Sequence, residues 1–149
     1  MPEKETLESA RRDKLQGKAP STQAGEFVRE EIEHVREGKH GARSTKQAIA
    51  IGLSKARRAG VRLPPPKRGK ATTRKSAASA ARAARSRRRP SPKRARAVRK
   101  ALKREPKRTA SREALARQAR AAARRRSAAA RSRAAKKAAR TRARSPKRN

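Results

Sequence analysis

Large apolar side chains are almost confined to the first 63 of the 149 residues of this chain. Twelve of the 15 apolar residues larger than alanine lie there, and only Val98, Leu102 and Leu115 lie in the remainder. A fully buried large side chain contributes roughly 1.5–3 kcal/mol, so residues 64–149 hold too few of them to offset the entropy of ordering that segment. The pattern predicts a small folded head and a long tail without a core of its own.

The charge of the chain also changes at residue 64. Residues 1–63 hold 14 basic and 9 acidic side chains, whereas residues 64–149 hold 34 basic and 2 acidic ones, within a net charge of +37. Three consecutive prolines at 64–66 favour a stiff polyproline II spacer between the two parts. We therefore predict a small helical head over 1–63, a spacer over 64–66, and an intrinsically disordered Ala/Arg/Lys-rich tail over 67–149. The tail is expected to become helical only when a bound anion neutralises its charge.

Glycines and hydrophobic spacing predict the fold class of the head, which is all-α with two to three short helices. The expected helices run over 3–16, from Ser21 or Thr22 to Gly38, and over 44–60. Ser44 and Gln47 fit a capping box, and Gly60 followed by Val61 fits a Schellman stop. The last two helices would form a hairpin in which the small residues Ala48 and Gly52 allow close approach of another helix.

One face of the second predicted helix is acidic. At 100° per residue its carboxylates lie opposite the apolar stripe, and Ile51 of the third helix points away from the apolar line of that helix. These residues are candidates for binding a basic partner, the chain's own tail or a second copy of the head, with an ordinary solvated face as the alternative. The set comprises Glu26, Glu30, Glu33, Glu37 and Ile51.

The residue inventory contains no catalytic constellation. The chain has two histidines, no Cys and no Tyr. Glu30 and His34 have the i, i+4 spacing that could hold a metal ion, but no third ligand stands at a suitable spacing. We therefore predict a protein that is not an enzyme and that uses no cofactor and no metal. No segment has the apolar run of a signal peptide or of a membrane span, so the expected location is the cytoplasm.

The charge of the tail predicts a polyanionic partner. The bias persists over 86 residues, which is far longer than an ordinary solvated charge run. No aromatic side chain occurs there to stack on unpaired bases, so duplex DNA is favoured over RNA, although structured RNA remains an alternative. The candidate phosphate-binding residues are Arg87, Arg88, Arg89, Lys93, Arg94, Arg124, Arg125, Arg126, Lys136, Lys137, Lys147 and Arg148. A recognition helix in the head would instead present Gln47, Ser54, Arg57 and Arg58 to a groove.

Two short sequences in the tail have a more specific pattern. Ser91–Arg94 and Ser145–Arg148 both read SPKR, and Glu105–Arg108 reads EPKR. A serine before proline favours a turn that brings two cations together, a unit suited to the minor groove. The repeats resemble those of linker-histone tails, over residues 67–149, and the excess of Arg over Lys resembles protamines.

The sequence of residues 38–70 carries a second resemblance. GKHGARSTKQAIAIGLSKARRAGVRLPPPKRGK is similar to a family of small basic bacterial proteins of uncharacterised function, in which a KQAIAIALSEARKAG-like helix follows a turn. Gly52 and Lys55 depart from that pattern, where Ala and Glu are expected. The resemblance implies a bacterial origin and a compact helical unit, and no mechanism.

Together these observations predict a histone-like, nucleoid-associated protein that neutralises and condenses or bridges duplex DNA with little sequence selectivity. Two alternatives remain open. The first is a protein that associates with RNA or the ribosome. The second is a head that serves as a protein-interaction module and carries an accessory polyanion-binding tail.

Overall fold

The computed structural model describes residues 2–67, 69–86 and 91–144, and most of them belong to helices. No strand occurs in these three ranges. Seven α-helices and one short 3-10 helix follow one another in the described chain. They are α1 (Lys4–Leu15), α2 (Pro20–Arg36), α3 (Thr45–Arg58), α4 (Ala71–Ser86), α5 (Pro92–Lys103), the 3-10 helix (Arg108–Ala110), α6 (Arg112–Arg124) and α7 (Ala128–Arg144).

The first three helices form where the sequence predicts them. The predicted start of α3 is confirmed, because Ser44 Oγ accepts from the backbone N–H of Gln47 at 3.2 Å. The Gln47 side chain in turn accepts from the backbone N–H of Arg43 at 2.6 Å. The predicted Schellman stop is also confirmed. Gly60 has a φ of 91°, and the N–H of Val61 donates to the carbonyl of Ala56 at 3.0 Å.

Helices α2 and α3 form the predicted hairpin and pack closely together. A Cβ at Gly52 would lie 2.7 Å from the Cα of Val28, so glycine is what allows the two backbones to approach. The fully buried Phe27 lies in a core cluster with Ala10, Ala24 and Ala56. Leu7, Leu53, Val61 and Leu63 pack against that cluster. Helix α1 completes the unit by packing on α2.

The prediction of a disordered tail is wrong, because helices continue through the basic segment. Helix α4 packs on α3, and it does so with alanines: Ala77 and Ala80 are 8 % and 7 % exposed. The groove between the two helices is also lined by Leu53 and Ser54 of α3. Apolar residues larger than alanine are absent from α4. An alanine stripe nevertheless docks a helix, because small side chains allow close contact without loss of rotamer entropy.

Residues 102–110 return to the turn between α2 and α3 and are held there by backbone hydrogen bonds. The N–H groups of Gly41 and Ala42 donate to the carbonyls of Leu102 and Pro106 at 2.8 and 3.1 Å. Thr109 Oγ1 donates to the carbonyl of Ala42 at 3.0 Å. The EPKR sequence, Glu105–Arg108, therefore lies in a segment that is hydrogen-bonded to the head.

The chain divides into two compact units, Met1–Ser111 and Arg112–Asn149. The proline triplet lies inside the first unit, so the division by composition and the division by contacts fall at different places. The second unit contains α6 and α7, which are also helical. Ser127 Oγ accepts from the N–H of Ala130 at 3.2 Å and caps the start of α7. Repulsion between like charges costs only about 0.2–0.5 kcal/mol per i, i+4 pair, which the helix propensities of Ala, Arg and Lys can outweigh.

None of the helices in the described ranges has both the length and the apolar character needed to cross a bilayer.

Candidate functional site

Two carboxylates of α2 are buried, although one of them belongs to the acidic face that the sequence predicts to lie opposite the apolar stripe. Glu31 is fully buried and Glu30 is 3 % exposed. Together with His34, His40 and Lys55 they form what we call the carboxylate–histidine cluster. Buried carboxylates need partners, since an unpaired charge in the interior is strongly destabilising. The partners in this cluster come from α3 and from the turn after α2.

Lys55 of α3 neutralises part of this buried charge. Its Nζ lies 2.7 Å from Glu31 Oε2 and 3.1 Å from Glu30 Oε1. Burial alone would lower the pKa of Lys55, but its ion pairs with Glu31 and Glu30 outweigh burial and raise it. Burial would raise the pKa of Glu30, yet the backbone N–H of Glu3 and the ammonium of Lys55 hold it below the ordinary value. Both groups therefore stay charged near neutral pH.

The two histidines are the other members of the cluster, and His40 pairs with the carboxylate oxygen of Glu31 that Lys55 does not contact. His40 Nε2 is 3.2 Å from Glu31 Oε1, and His34 Nδ1 is 3.9 Å from Glu30 Oε1. The two imidazole rings meet edge to face with their centroids 6.2 Å apart. Glu31, His34 and His40 can each offer one metal-ligating atom, and those three atoms lie within 4.8 Å of one another.

Ion pairs extend the cluster to the surface. Glu3 Oε1 accepts from His34 Nε2 at 2.8 Å and from Lys39 Nζ at 3.1 Å, and these contacts lower the pKa of Glu3. Lys39 also lies 3.0 Å from Glu37 Oε2, and its hydrogen bonds to Glu37 and Glu3 raise its pKa. This connected network contains four carboxylates and two ammonium groups. With neutral histidines it holds two negative charges, in a chain of net charge +37.

The predicted partner-binding stripe is divided by this arrangement. Glu33 and Glu37 are exposed, Glu26 is half-buried and paired with Arg29, and Glu30 is committed to the interior. Ile51 is half-buried.

Sequence reasoning missed Glu31, although a signal was present. Glu31 stands four residues after Phe27 and four before Val35, which places it on the buried stripe of α2.

The residues predicted to face a groove do not share one exposed surface. Gln47 is engaged in the cap of α3, and Ser54 is half-buried in the groove against α4. Arg57 is 8 % exposed, and its Nε donates to the carbonyl of Leu63 at 3.3 Å. Burial lowers the pKa of Arg57. Only Arg58 is exposed.

Helix formation gathers the cations of the basic segment onto faces. At 100° per residue, five cations of α5 fall within a 120° sector, while Val98 and Leu102 lie outside it. All five are exposed, and no ion pair joins them to any acid in the described ranges. We call this set the α5 cationic face; it consists of Lys93, Arg96, Arg99, Lys100 and Lys103.

Helix α7 has a comparable surface. Four exposed cations fall within a 100° sector, and Arg131 and Arg142 lie on the opposite side of the helix. We call these four the α7 cationic face; they are Arg133, Lys136, Lys137 and Arg140.

The remaining phosphate-binding candidates are distributed along the chain. Arg94 is exposed in the first turn of α5, where Ser91 is the N-cap and Pro92 the first helical residue, so this SPKR sequence begins a helix. Residues 124–126, all Arg, are exposed at the end of α6 and just beyond it. Outside the described residues lie Arg87, Arg88, Arg89, Lys147, Arg148 and the SPKR sequence that begins at Ser145.

Comparison with known proteins gives a family match for the first three helices. Residues 4–68 match the model of a family described as "Family of unknown function (DUF6496)". This match is consistent with the expected resemblance to an uncharacterised family and extends it to α1 and α2. No curated protein and no solved structure matches the chain.

Proposed function

We propose that this protein binds the phosphate backbone of duplex DNA, with little selectivity for base sequence, through the cationic faces of α5 and α7. The observation that carries the proposal is the facial segregation of cations on helices that hold almost no acids. Between Pro92 and Arg144 the chain has only two carboxylates, Glu105 and Glu113.

The spacing of the α5 cationic face fits a nucleic-acid strand. Ten residues separate Lys93 from Lys103, so five cations span about 15 Å at ~1.5 Å per residue. This gives roughly one cation per 3–4 Å of α-helix, close to the ~3.4 Å of duplex axis for each phosphate of one strand. A helix with side chains is about 10–12 Å wide, which the ~12 Å major groove accommodates.

The only Phe, Tyr or Trp of the chain supports a backbone-directed mode. It is Phe27, which is 1 % exposed in the core and cannot stack on a base. Proteins that bind single strands depend on such stacking platforms. Contacts from Arg and Lys to phosphate are instead independent of base sequence. The role we propose is histone-like, in which a nucleoid-associated protein of the bacterial cytoplasm neutralises and bridges duplexes.

Helix α7 allows a test with two variants of equal net charge. In one variant, Lys136 and Arg140 of the α7 cationic face are replaced by Gln; in the matched control, Arg131 and Arg142 of the opposite side are replaced. Affinity for a duplex of mixed sequence is measured from about 50 to 200 mM salt, and each lost phosphate contact should reduce the slope of log K against log salt by ~0.9. The first variant should lose roughly 1.8 from the slope, and the control much less.

Two further outcomes bear on the proposal. If the intact chain binds duplex DNA with no dependence on salt, or does not bind it, the proposal is wrong. Preference for structured RNA in direct competition at physiological salt would redirect it to an RNA target.

A further inference from the structure

We propose that the carboxylate–histidine cluster binds one Zn²⁺ ion through Glu31 Oε1, His34 Nδ1 and His40 Nε2. The site belongs to the first compact unit and shares no residue with the cationic faces. It therefore does not depend on the proposed DNA binding. Three side chains of this type, with a fourth position left to water, form a common zinc coordination set.

The hydrogen bond of His40 determines which of its ring nitrogens faces the site. Its Nδ1 lies 3.0 Å from the carbonyl oxygen of Gly41, and a carbonyl can only accept, so Nδ1 carries the proton. In neutral His40 the lone pair is then on Nε2, which faces Glu31 Oε1 at 3.2 Å. Two acceptors at this distance repel each other unless a cation lies between them. Metal-ligating histidines commonly donate their other N–H to a backbone carbonyl in this way.

The hydrogen bond of His34 likewise determines which of its ring nitrogens carries the proton. Its Nε2 lies 2.8 Å from Glu3 Oε1, and the ionised carboxylate of Glu3 can only accept, so Nε2 carries the proton. The lone pair of His34 is therefore on Nδ1, which is directed toward the carboxylates of α2. A carboxylate that holds the outer N–H of a metal-ligating histidine raises the basicity of the ligand. His34 and His40 are thus both oriented with their free nitrogens inward.

Glu31 supplies the third ligand. It is fully buried, and neither of its carboxylate oxygens makes a hydrogen bond of acceptable geometry, although both have ion-pair partners. Lys55 holds Oε2 at 2.7 Å, which leaves Oε1 for a metal. The connected network around the site carries two negative charges when both histidines are neutral. A divalent cation balances that charge.

The distances favour a small tetrahedral ion. With metal–ligand bonds of about 2.0–2.2 Å, two ligand atoms of a tetrahedral site lie roughly 3.3–3.6 Å apart. Glu31 Oε1 and His40 Nε2 are already 3.2 Å apart. One ligand atom from each of Glu31, His34 and His40 lies within 4.8 Å of the other two, so a small rotation of a side chain would bring the third ligand into range. Calcium and magnesium prefer sites made of oxygen ligands and do not suit two imidazoles.

Bound zinc would connect two parts of the first unit. Glu31 and His34 belong to α2, whereas His40 belongs to the turn that hydrogen-bonds residues 102–106. The metal would therefore stabilise the return of that segment as well as the α2–α3 hairpin. Zinc that binds only the folded state should stabilise it by RT ln(1 + [Zn²⁺]/Kd).

Imidazole NMR of the intact, chelator-treated wild-type protein tests the site without any substitution. Since the chain has two histidines, every imidazole signal can be assigned to one or the other. One equivalent of Zn²⁺ should shift the ring-nitrogen signals of both, with the metal on Nε2 of His40 and Nδ1 of His34. The proposal is overturned if excess zinc leaves either histidine unchanged, or if His40 is doubly protonated at neutral pH and unaffected by zinc.

A pair of variants on one helix tests the carboxylate ligand. Glu31→Gln removes the ligand, and Glu33→Gln makes the same charge change at an exposed position of α2. Zinc affinity is measured by calorimetry. In the first variant it should fall by more than the 10–100-fold typical of losing a residue that only orients a ligand, and in the second it should stay near wild type. Glu3→Gln should fall within that 10–100-fold range. Equal affinities for the two α2 variants would contradict the assignment, and the wild-type NMR result stands even if Glu31→Gln does not fold.

Discussion

Replacing Gly52 by alanine should destabilise the protein, although alanine is the better helix former. Glycine in the middle of a helix costs about 1 kcal/mol relative to alanine, so Gly52→Ala gains that amount from propensity. The new Cβ would however lie 2.7 Å from Val28 Cα and 2.9 Å from the carbonyl oxygen of Phe27. These are backbone atoms of α2, so no side chain can rotate away and the two helices must separate.

The expected net effect follows from these two contributions. Normal carbon–carbon contacts lie near 3.5–4.0 Å, so α3 would have to move by roughly 1 Å. Overpacking of this kind typically costs about 1–3 kcal/mol, and the upper end applies where both partners are backbone. After the gain in propensity, the free energy of unfolding should fall by about 2 kcal/mol. The thermal midpoint should then fall by roughly 8 °C for a unit of this size.

Gly25 provides the matched control. It is also helical, is exposed, and has no atom within 4 Å of the position its Cβ would take. Gly25→Ala should therefore raise the free energy of unfolding by about 1 kcal/mol. The assay is urea unfolding of both variants and wild type, followed by circular dichroism. If Gly52→Ala is as stable as Gly25→Ala, the close packing of α2 on α3 is wrong.

Three further predictions concern the first unit. The folded-state pKa of Glu30 lies below 4.5, so the stabilisation by its charge is present above that pH and is lost as the pH falls through the folded pKa. Urea unfolding of Glu30→Gln should therefore show a smaller loss of stability over this pH range than wild type. Lys55→Met leaves two buried carboxylates without their ammonium partner and should lower the free energy of unfolding by about 3–5 kcal/mol, measured at neutral pH. In Gly41→Ala the Cβ would lie 1.8 Å from the carbonyl oxygen of Glu105, so residues 102–110 should detach from the head. Hydrogen exchange at the N–H of Ala42 should then accelerate, and unchanged protection would contradict the packing of residues 102–110 on the turn.

The site was less accessible from the sequence than the fold of the head. The i, i+4 spacing indicates Glu30 and His34 as a possible metal-binding pair, but two further members of the cluster, His40 and Lys55, lie outside α2. His40 lies in a turn whose path is set by tertiary contacts, and Lys55 lies on the next helix. The inward position of Glu31 differs from the usual exposure of glutamate, so its charge alone predicts an exposed side chain.

What the sequence alone determined is local. Helix starts and stops in the head follow from Ser44, Gln47 and Gly60, because caps and left-handed glycines act within a few residues of the chain. The excess of cations after Pro64 is likewise a property of composition.

Tertiary structure decided what distant residues do together. It docked α4 on α3 through alanines and returned residues 102–110 to the head. It also buried Glu30 and Glu31 beside Lys55 and two histidines. The physical reason is that the cost or gain of an alanine or a carboxylate depends on what packs against it. Contacting residues lie up to 74 positions apart in sequence, as for Arg36 and Ala110.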